Sequence, residues 1–424
     1  MTQNIIYYGP PGTGKTYYMQ QKIEKYTDYT INNQDIIDAY TVKSEDWLLI
    51  ALIILQNNNP LTSQEIIEKI NALQIEYKGL PSVTLEEHSI ENSKLASTIA
   101  RKLPRIFLEV DDKWYVDRLK IIEFDKKFME EYMKNAKLEK RYDFVTFHQS
   151  FVYEDFIEGI RPICDNSTQT IGYNIKDGIF KNICKKASDN PHKSYALFID
   201  EINRGNISEI FGELISLIEI DKRKGQYCEL ETILPYSKTS FSVPSNLNII
   251  GTMNSSDKSI SIIDLALRRR FEFINIKCNY EVLEKTISLN GIDPRNIDGI
   301  DVVQLLKIIN ERIELLLDEN HVIGHAYFIK AKSVENIKNI ITKKIIPLLE
   351  EYFFDDLQKI QIVLNDLDEN GNLIENSIYS HKELEPDKLL SFTGEYAFET
   401  KKIYYLNPEV NVDSIKKIYN GTSV

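Results

Sequence analysis

The sequence predicts an α/β fold with a parallel sheet covered by helices on both faces, a helical segment after it, and a smaller α+β module inserted into it. A short apolar strand at residues 4–8 leads into a glycine-rich loop and a helix. Apolar runs of strand length then alternate with helical segments from about residue 142 to 273, whereas residues 40–120 have a different pattern. Strands that alternate with helices are typical of such parallel sheets.

The composition is that of an ordinary globular chain. Its 424 residues are 42% hydrophobic and 27% charged, which fits about two or three domains. The net charge is −13, from 51 Lys and Arg against 64 Asp and Glu. Counterion release needs clustered cations, so any nucleic-acid contact requires a local basic patch. The sequence therefore does not predict a protein that binds polyanions over its whole surface.

Two features indicate where the protein works. The four cysteines form no Cys-x-x-Cys pair, which favours reduced thiols. The longest apolar run, Leu48 to Leu55, is far shorter than the ~20 residues of a membrane helix, and the N-terminus has no signal-peptide pattern. We expect a cytoplasmic protein with no membrane association.

The glycine-rich loop after the first strand fits the pattern G-x-x-x-x-G-K-[ST]. Backbone N–H groups of such a loop cradle phosphate oxygens, the lysine neutralises the β- and γ-phosphates, and the final hydroxyl coordinates Mg²⁺. The helix that follows points its positive end at the phosphates. The predicted nucleotide-binding residues are Gly9, Pro10, Pro11, Gly12, Thr13, Gly14, Lys15 and Thr16.

A second strand, Ala196 to Ile199, ends in the carboxylates Asp200 and Glu201. A buried strand of this kind delivers its aspartate to the Mg²⁺ shell, and the following glutamate polarises the attacking water. Together with the loop of Gly9 to Thr16, it predicts a P-loop nucleoside triphosphatase that uses Mg²⁺.

A third apolar strand, Leu247 to Ile250, precedes Asn254. Asn254 either holds the lytic water beside Glu201 or caps a turn. Farther on, Arg268 to Arg270 end a short helix. Such a basic run is a solvated face, a nucleic-acid patch, or, in a ring NTPase, the source of the arginine finger that stabilises transition-state charge in the neighbouring subunit.

The inserted module has the element order of a winged helix. Helices are predicted at Trp47 to Gln56, from a cap at Thr62 or Ser63 to Leu73, and at Ser93 to Leu103, followed by a hairpin over 106–116. Elsewhere, helices are predicted at 207–220, 302–317 and 334–360, and a hairpin around 368–371. The predicted domains are a nucleotide-binding α/β domain over 1–30 and 140–275, the insertion at 40–120, a helical lid at 276–360, and a C-terminal extension at 361–424.

The stretches GPPGTGKT, IDEINRGNISEIFGELISLIE and IIGTMNSSDKSISIIDLALRRRF resemble the AAA+ module of the McrB family, the nucleotide-driven motor of modification-dependent restriction systems. The stretches RYDFVTFHQSFVYEDFIEGIRP, IGHAYF and IPLLEEY are also similar, so the resemblance covers about residues 1–30 and 140–360. Its most specific part is Met253 to Asp257, which resembles the family's M-N-x-x-D signature.

The resemblance implies a GTP-preferring enzyme that forms hexameric rings and partners a separate McrC-type subunit, which stimulates hydrolysis and carries a nuclease. Which arginine is the finger stays open between Arg269 and Arg270, and Arg204 is a further candidate contact across the subunit interface. The residues at the family's motif positions are Lys15, Thr16, Asp200, Glu201, Asn254, Asp257, Arg269 and Arg270.

The sequence departs from the family pattern in two ways. The best-known member carries an N-terminal module that reads modified cytosine, whereas here the P-loop strand begins near residue 4. We therefore do not carry over specificity for 5-methylcytosine. The second departure is the insertion, which resembles a HARE-type winged helix-turn-helix. Either its reader helix contacts double-stranded DNA, or the module makes protein contacts within the ring or to the partner. The candidate DNA contacts are Lys94, Arg101, Lys102 and Arg105.

Two other functions stay open. An ATP-preferring, MoxR-like ATPase that remodels proteins would ignore DNA and any nuclease, and a nucleotide-gated DNA-binding regulator would use hydrolysis only to reset its switch. His321 and His325 have the spacing of a two-histidine metal site, but Gly324 between them and the lack of an H-E-x-x-H pattern favour packing beside the lid. Neither GTP over ATP nor the DNA sequence or modification follows from the residues alone.

Overall fold

The computed structural model describes residues 2–90, 100–125, 137–164, 171–257, 265–389 and 399–420. Its strands are β1 Asn4–Gly9, β2 Thr27–Thr30, β3 Phe107–Val110, β4 Lys113–Val116, β5 Lys137–Lys140, β6 Tyr142–Thr146, β7 Glu158–Cys164, β8 Ile171–Asp177, β9 Tyr195–Asp200, β10 Thr232–Ile233, β11 Ser240–Phe241, β12 Leu247–Asn254, β13 Glu272–Asn275, β14 Tyr379–Leu384 and β15 Lys401–Leu406.

A parallel sheet in the order β13-β1-β12-β9-β6 forms the centre of the molecule. The register pairs Gly9 of β1 with Asn254 of β12, and Ile199 of β9 with Gly251 of β12. The carboxyl ends of β1, β9 and β12 therefore meet at one edge of the sheet. This edge is where ligands bind in open α/β sheets.

Helices cover both faces of this sheet. Side chains alternate along each strand, so Leu197 and Ile199 pack into the layer that contains the helix Ile179–Asp189, while Phe198 packs with Met19 of the helix Lys15–Ile23 on the other side. The predicted α/β fold is confirmed. The remaining helices beside the sheet are Tyr153–Phe156, Ile207–Phe211 and Leu265–Arg268.

The predicted helix over 207–220 is wrong in its length. The α-helix ends at Phe211, and the chain continues as a 3₁₀ turn at Gly212–Ser216. Gly212 has a φ of +50°, which interrupts the helical backbone and which glycine adopts at little cost.

The insertion packs around a buried helix, Asp46–Asn57, whose side chains from Trp47 to Leu55 are all buried. A capping box at Thr62 and Glu65 starts the next helix, so Thr62 is the cap of the two that the sequence offered. The hairpin of β3 and β4 closes the core through Phe107 and Trp114. The helices of this module are Asn33–Lys43, Asp46–Asn57, Ser63–Ala72, Pro81–Glu87 and Arg118–Phe124.

The third predicted helix of the insertion, Ser93 to Leu103, is wrong over residues 100–103. A helix forms at Pro81–Glu87, where proline occupies the first turn and its missing N–H costs nothing. Residues 93–99 lie outside the described residues, and residues 100–103 are not helical. Leu103 precedes Pro104, and a residue before proline is driven out of the helical region. The chain instead runs along the preceding helix, with Lys102 N donating to Glu87 O and Ile106 N to His88 O.

The insertion joins the sheet domain through the antiparallel pair β2 and β5. Buried Arg141 secures this junction. Its guanidinium contacts both carboxylate oxygens of Asp28 at 3.0 Å and also donates to the backbone oxygens of Lys25 and Ser194. Burial opposes ionisation of Asp28, but hydrogen bonds from Arg141 and Lys193 lower its pKa overall.

A helical lid follows the sheet. Its helices are Tyr280–Leu289, Val302–Leu316, Val334–Ile340, Ile346–Phe353 and Leu357–Val363, with a π-helical turn at Ile341–Ile345. The predicted helix over 334–360 is therefore broken. The break follows Phe353, where Phe354 and Asp355 both have positive φ angles of 52° and 59°.

The C-terminal segment packs on the lid. Ile415 and Ile418, from the helix Val412–Tyr419, enter the same core as Leu305 and Ile309. The fully buried Asp366 accepts hydrogen bonds from two backbone N–H groups and pairs with Lys417. The turn predicted at 368–371 forms, but its flanks meet in an isolated bridge between Leu367 and Leu373 instead of paired strands. The paired strands of this segment are β14 and β15. A short helix, Pro386–Leu389, lies between those strands.

None of the helices in the described part of the chain combines the length and hydrophobicity that crossing a bilayer requires.

Candidate nucleotide-binding site

The loop between β1 and the helix Lys15–Ile23 has the conformation of a phosphate cradle. Gly12 and Gly14 have φ angles of +76° and +86°, which allow successive N–H groups to turn to one side. The hydroxyl of buried Thr13 donates to Pro10 O at 3.0 Å and braces the loop. Thr16 is exposed in the first turn of the helix. The loop backbone is therefore shaped to receive an anion.

Lys15 folds back over the loop. Its Nζ donates to Gly9 O at 2.9 Å and to Pro10 O at 2.7 Å. Burial lowers the pKa of Lys15 to about 8, while the carboxylates of Glu201, Asp257 and Asp200 oppose this shift. A polyphosphate bound at the loop would favour the charged ammonium.

Thr252 connects the two carboxylates at the end of β9. Its hydroxyl accepts a hydrogen bond from Glu201 N at 3.2 Å and donates one to Asp200 Oδ1. Glu201 follows the strand in a left-handed conformation, with φ of 52°. The two adjacent carboxylates thus leave the strand in different directions. Sequence reasoning missed Thr252, because a threonine inside a strand has no distinguishing pattern.

Asn254 lies where the sequence predicted it, beside Glu201. Its Nδ2 donates to Glu201 Oε1 at 2.8 Å. Buried Asn203 donates from its Nδ2 to Asn254 O at 3.3 Å and so braces the end of β12. Burial raises the pKa of Glu201, with further contributions from Asp200 and Asp257, although Arg204 and Lys15 oppose them. A carboxylate with a raised pKa is a stronger proton acceptor.

Arg204 lies within the site of its own chain. Its Nε is 3.4 Å from Glu201 Oε2, and another guanidinium nitrogen is 3.3 Å from Asp257 Oδ2. Nearly half of the Arg204 side chain is exposed, so the same group also faces outward. The structure therefore brings Arg204 and Asp257 together with Glu201.

The two candidate finger arginines have opposite environments. Arg270 has only 3% of its side chain exposed and pairs with Glu219 at 2.8 Å. Arg269 is 69% exposed and 4.0 Å from the same carboxylate. The guanidinium of Arg268 lies over the ring of Phe273, 5.8 Å from its centroid. Of Arg269 and Arg270, only Arg269 presents its guanidinium to the outside.

The lid contacts the phosphate loop directly. Gly324 N donates to Pro11 O at 3.0 Å, and Ala326 N donates to Gly12 O at 2.9 Å. A Cβ on Gly324 would lie 1.9 Å from the carbonyl carbon of Gly12, so the two backbones touch. The Tyr327 ring occupies the space beside Gly12. Sequence analysis noted this segment only as part of the family resemblance and assigned it no role.

The two histidines at this end of the lid face different partners. His321 Nδ1 is 2.8 Å from Asp318 Oδ1, and the His321 ring packs edge-on against Tyr352. His325 is buried against the phosphate loop, and its Nδ1 accepts a hydrogen bond from Asn279 N at 3.2 Å. In the described residues, no cluster of three His, Cys, Asp or Glu side chains has the arrangement of a metal site.

The described candidate DNA-contacting residues do not lie on a helix. Lys94 lies outside the described residues, and Arg101, Lys102 and Arg105 lie in the non-helical segment before β3. Lys102 is paired with Glu87 at 2.8 Å. The tip of the β3 and β4 hairpin carries two exposed carboxylates, Asp111 and Asp112. The predicted reader helix is therefore wrong for the described residues.

A phosphate loop beside a buried strand that ends in Asp-Glu, on a parallel sheet followed by a helical lid, defines a P-loop NTPase of the AAA+ class. Two family models match the chain. The AAA domain (dynein-related subfamily) matches residues 126–271, and the McrB alpha-helical lid domain matches residues 301–361. The first range begins after the phosphate loop, because the insertion separates that loop from the rest of the domain.

Two restriction proteins are similar in sequence. The EcoKMcrB subunit of the type IV methyl-directed restriction enzyme of Escherichia coli K12 is 38% identical over 246 residues, which are 55% of this chain and 52% of that protein. The YdiS component of the type II restriction enzyme BsuMI of Bacillus subtilis 168 is 25% identical over 243 residues, 50% of this chain and 69% of that protein. The chain thus spans about half the length of the first relative. It has an AAA domain and a McrB-type helical lid, and both are what its motifs predicted.

Proposed function

We propose that this protein is the nucleotide-hydrolysing motor of a restriction system, binding a purine nucleoside triphosphate at Gly9 to Thr16 and hydrolysing it with Glu201. The main support for this proposal is the hydrogen bond from Asn254 Nδ2 to Glu201 Oε1, at 2.8 Å. It lies at the sheet edge that also holds the phosphate loop. This pair can hold a water molecule where the γ-phosphate of a bound nucleotide would end.

Each residue has a distinct task in this proposal. The loop N–H groups and Lys15 bind the phosphates, and Asn254 orients the water. Glu201 takes a proton from that water as its oxygen bonds to the γ-phosphorus, and the bond to the bridging oxygen of the nucleoside diphosphate breaks. Arg204 pairs with Glu201 from its other side, and Asp257 holds Arg204 there through a second ion pair.

The donor set suits Mg²⁺. The Thr16 hydroxyl and the Asp200 carboxylate are hard oxygen ligands of the kind this ion prefers. The hydrogen bond that Asp200 accepts from Thr252 fixes the carboxylate for such a role. When bound, the ion would neutralise phosphate charge, and Thr16 and Asp200 are the residues that would hold it.

Assembly into a homo-hexamer belongs to the proposal. A ring places an arginine of one subunit at the nucleotide of the next, and the always-charged guanidinium suits γ-phosphate oxygens. The exposure of Arg269 favours it as this finger, because the Arg270 guanidinium is already buried against Glu219. Arg204 is a second candidate contact in trans.

The choice of GTP, the McrC-type nuclease partner and action on double-stranded DNA rest on the family. The two relatives are named as components of restriction enzymes, which supports a role in restricting foreign or modified DNA. For the inserted module, the ion pair of Lys102 with Glu87 and the acidic hairpin tip favour protein contacts over DNA contacts through these residues.

The deciding experiment is a titration of GTP and of ATP with Mg²⁺, followed by the mass in solution. We expect tight GTP binding, weak ATP binding and a shift to hexamer mass. Lys15→Ala should abolish binding and assembly, while the control Lys25→Ala, an exposed lysine of the adjoining turn, should leave both intact. Unchanged nucleotide affinity in Lys15→Ala would contradict the assignment of Gly9 to Thr16 as the nucleotide-binding loop.

Two results would redirect the assignment. Preference for ATP would favour the protein-remodelling alternative and remove the GTP proposal. For catalysis, Glu201→Gln should bind nucleotide and assemble but no longer turn over, and near-normal hydrolysis in that variant would remove Glu201 from its role.

A further inference from the structure

His325 occupies a fixed position beside the phosphate loop. The backbone of its turn is held by two hydrogen bonds to the loop, from Gly324 N to Pro11 O and from Ala326 N to Gly12 O. His325 is only 6% exposed, and its Nε2 lies 3.9 Å from where a Cβ on Gly14 would be. The imidazole therefore lines the loop at the residue just before Lys15.

The hydrogen bond at the other ring nitrogen sets the tautomer. Asn279 N donates to Nδ1 at 3.2 Å, so Nδ1 is the acceptor and carries no hydrogen. A neutral imidazole then carries its hydrogen on Nε2. Burial lowers the pKa of His325, which favours this neutral form. Among the hydrogen bonds of the described residues, the His325 ring takes part in this one alone, at Nδ1, and in none at Nε2.

We propose that His325 is a nucleotide-contacting residue of the lid, whose Nε2–H donates a hydrogen bond to a phosphate oxygen of the nucleotide held at Gly14. This inference rests on the proposed function, since it requires a nucleotide at the loop. It couples the lid to the ligand, because the same ring is anchored through Nδ1 at the start of the lid helix Tyr280–Leu289. A bound nucleotide would therefore contact both the phosphate loop and the lid and hold them together.

Two substitutions separate the two ring nitrogens. His325→Asn places an amide oxygen near the position of Nδ1, so it can still accept from Asn279 N, but it has no donor at the position of Nε2. His325→Gln reaches the position of Nε2 with an N–H donor and gives up the acceptor near Nδ1. His192→Asn, at an exposed turn, is the matched control.

The measurements are the affinity for a slowly hydrolysed GTP analogue with Mg²⁺ and the melting temperature without nucleotide. We expect His325→Asn to lose about 10- to 100-fold in affinity, the usual worth of a hydrogen bond to a charged group, with little change in melting temperature. His325→Gln should keep its affinity within about threefold of the parent, as a retained donor implies, and melt lower.

The outcomes are distinguishable. Unchanged affinity in His325→Asn, or equal losses in the two variants, overturns the assignment to Nε2. Lys15→Ala shows which claim has failed. If affinity is lost in Lys15→Ala but kept in His325→Asn, the lid contact alone is wrong, whereas affinity kept in both variants overturns the nucleotide site itself.

Discussion

At the scale of single residues, Thr252 positions two acidic residues of the site although its place in the sequence gave no indication of this role. It is 2% exposed inside β12, and its one hydroxyl positions both Asp200 and the backbone of Glu201. Strand pairing alone brings it there, since the register places Gly251 beside Ile199. The site therefore depends on a residue to which the sequence analysis assigned no role.

We expect Thr252→Val, which keeps the shape but removes the hydroxyl, to lower kcat by about 10-fold or more while nucleotide affinity stays within about threefold. In the proposed function the loop and Lys15 hold the phosphates, whereas the Thr252 hydroxyl bonds to Glu201 N and Asp200. Steady-state kinetics with a parallel binding titration would test this. A normal kcat would mean that Asp200 and Glu201 hold their positions without the hydroxyl.

The pH dependence of the reaction should have two limbs, one in nucleotide affinity and one in turnover. Since the pKa of Lys15 is lowered to about 8, the free protein loses this positive charge above that pH, so affinity for the triphosphate should weaken there. Since the pKa of Glu201 is raised, mainly by burial, its proton persists to a higher pH than in an exposed glutamate, so turnover should fall on acidification earlier than for an ordinary glutamate. Binding and kcat profiles would show the two limbs separately. An affinity that is flat from pH 7 to 9.5 would contradict the Lys15 limb.

At the scale of elements, the loop at Gly9 to Thr16 and the lid turn at Gly324 to Tyr327 behave as one unit. We expect Gly324→Ala to weaken nucleotide binding by at least about 10-fold, because its Cβ would come within 2.1 Å of the Gly12 carbonyl and force the lid away. Gly172→Ala in the β7 and β8 hairpin is the control, since its nearest neighbour would be 4.0 Å away. Equal affinities in the two variants would mean that the lid turn does not support the loop.

The junction between the insertion and the sheet domain is a second element-scale feature. Asp28→Asn leaves the buried Arg141 guanidinium without its charge partner, so we expect a loss of about 3–5 kcal/mol in the free energy of unfolding. The folded-state pKa of Asp28 is lowered, so its contribution is present above the ordinary aspartate pKa and disappears as pH falls through the folded value. Urea unfolding at several pH values would measure it, with exposed Glu76→Gln as the control. A destabilisation that does not shrink on acidification would argue against this ion pair.

At the scale of the whole molecule, the proposed ring makes each active site a product of two chains. Glu201→Gln and Arg269→Ala should each be inactive alone, yet a mixture should recover part of the activity, because some interfaces then pair an intact Glu201 with an intact Arg269. Arg270→Ala should instead lower stability, since it removes a buried guanidinium that pairs with Glu219. A mixture no more active than its components would exclude Arg269 as the trans finger.

The sequence by itself determined the class of the fold and singled out the main residues of the candidate site. Spacing within one segment is enough to define the phosphate loop and the Asp200-Glu201 strand end, because each motif acts through neighbouring backbone and side chains. Alternation of apolar strands and helices was likewise enough for the parallel sheet. Helix ends were harder to predict. Gly212 and Phe354 break helices that hydrophobic periodicity favoured, and Leu103, which precedes Pro104, is not helical.

Only the tertiary structure decided which distant residues complete the site. Thr252 and Asp200 are hydrogen-bonded although 52 residues separate them in the sequence, and Asn279 and His325 although 46 do. Gly324 contacts a loop that lies more than 300 residues earlier in the chain. It also separated Arg269 from Arg270, two adjacent and identical side chains that differ only in burial. Contacts of this kind depend on strand register and on how the lid packs. Local sequence does not encode these, because they result from the summed packing of the whole chain.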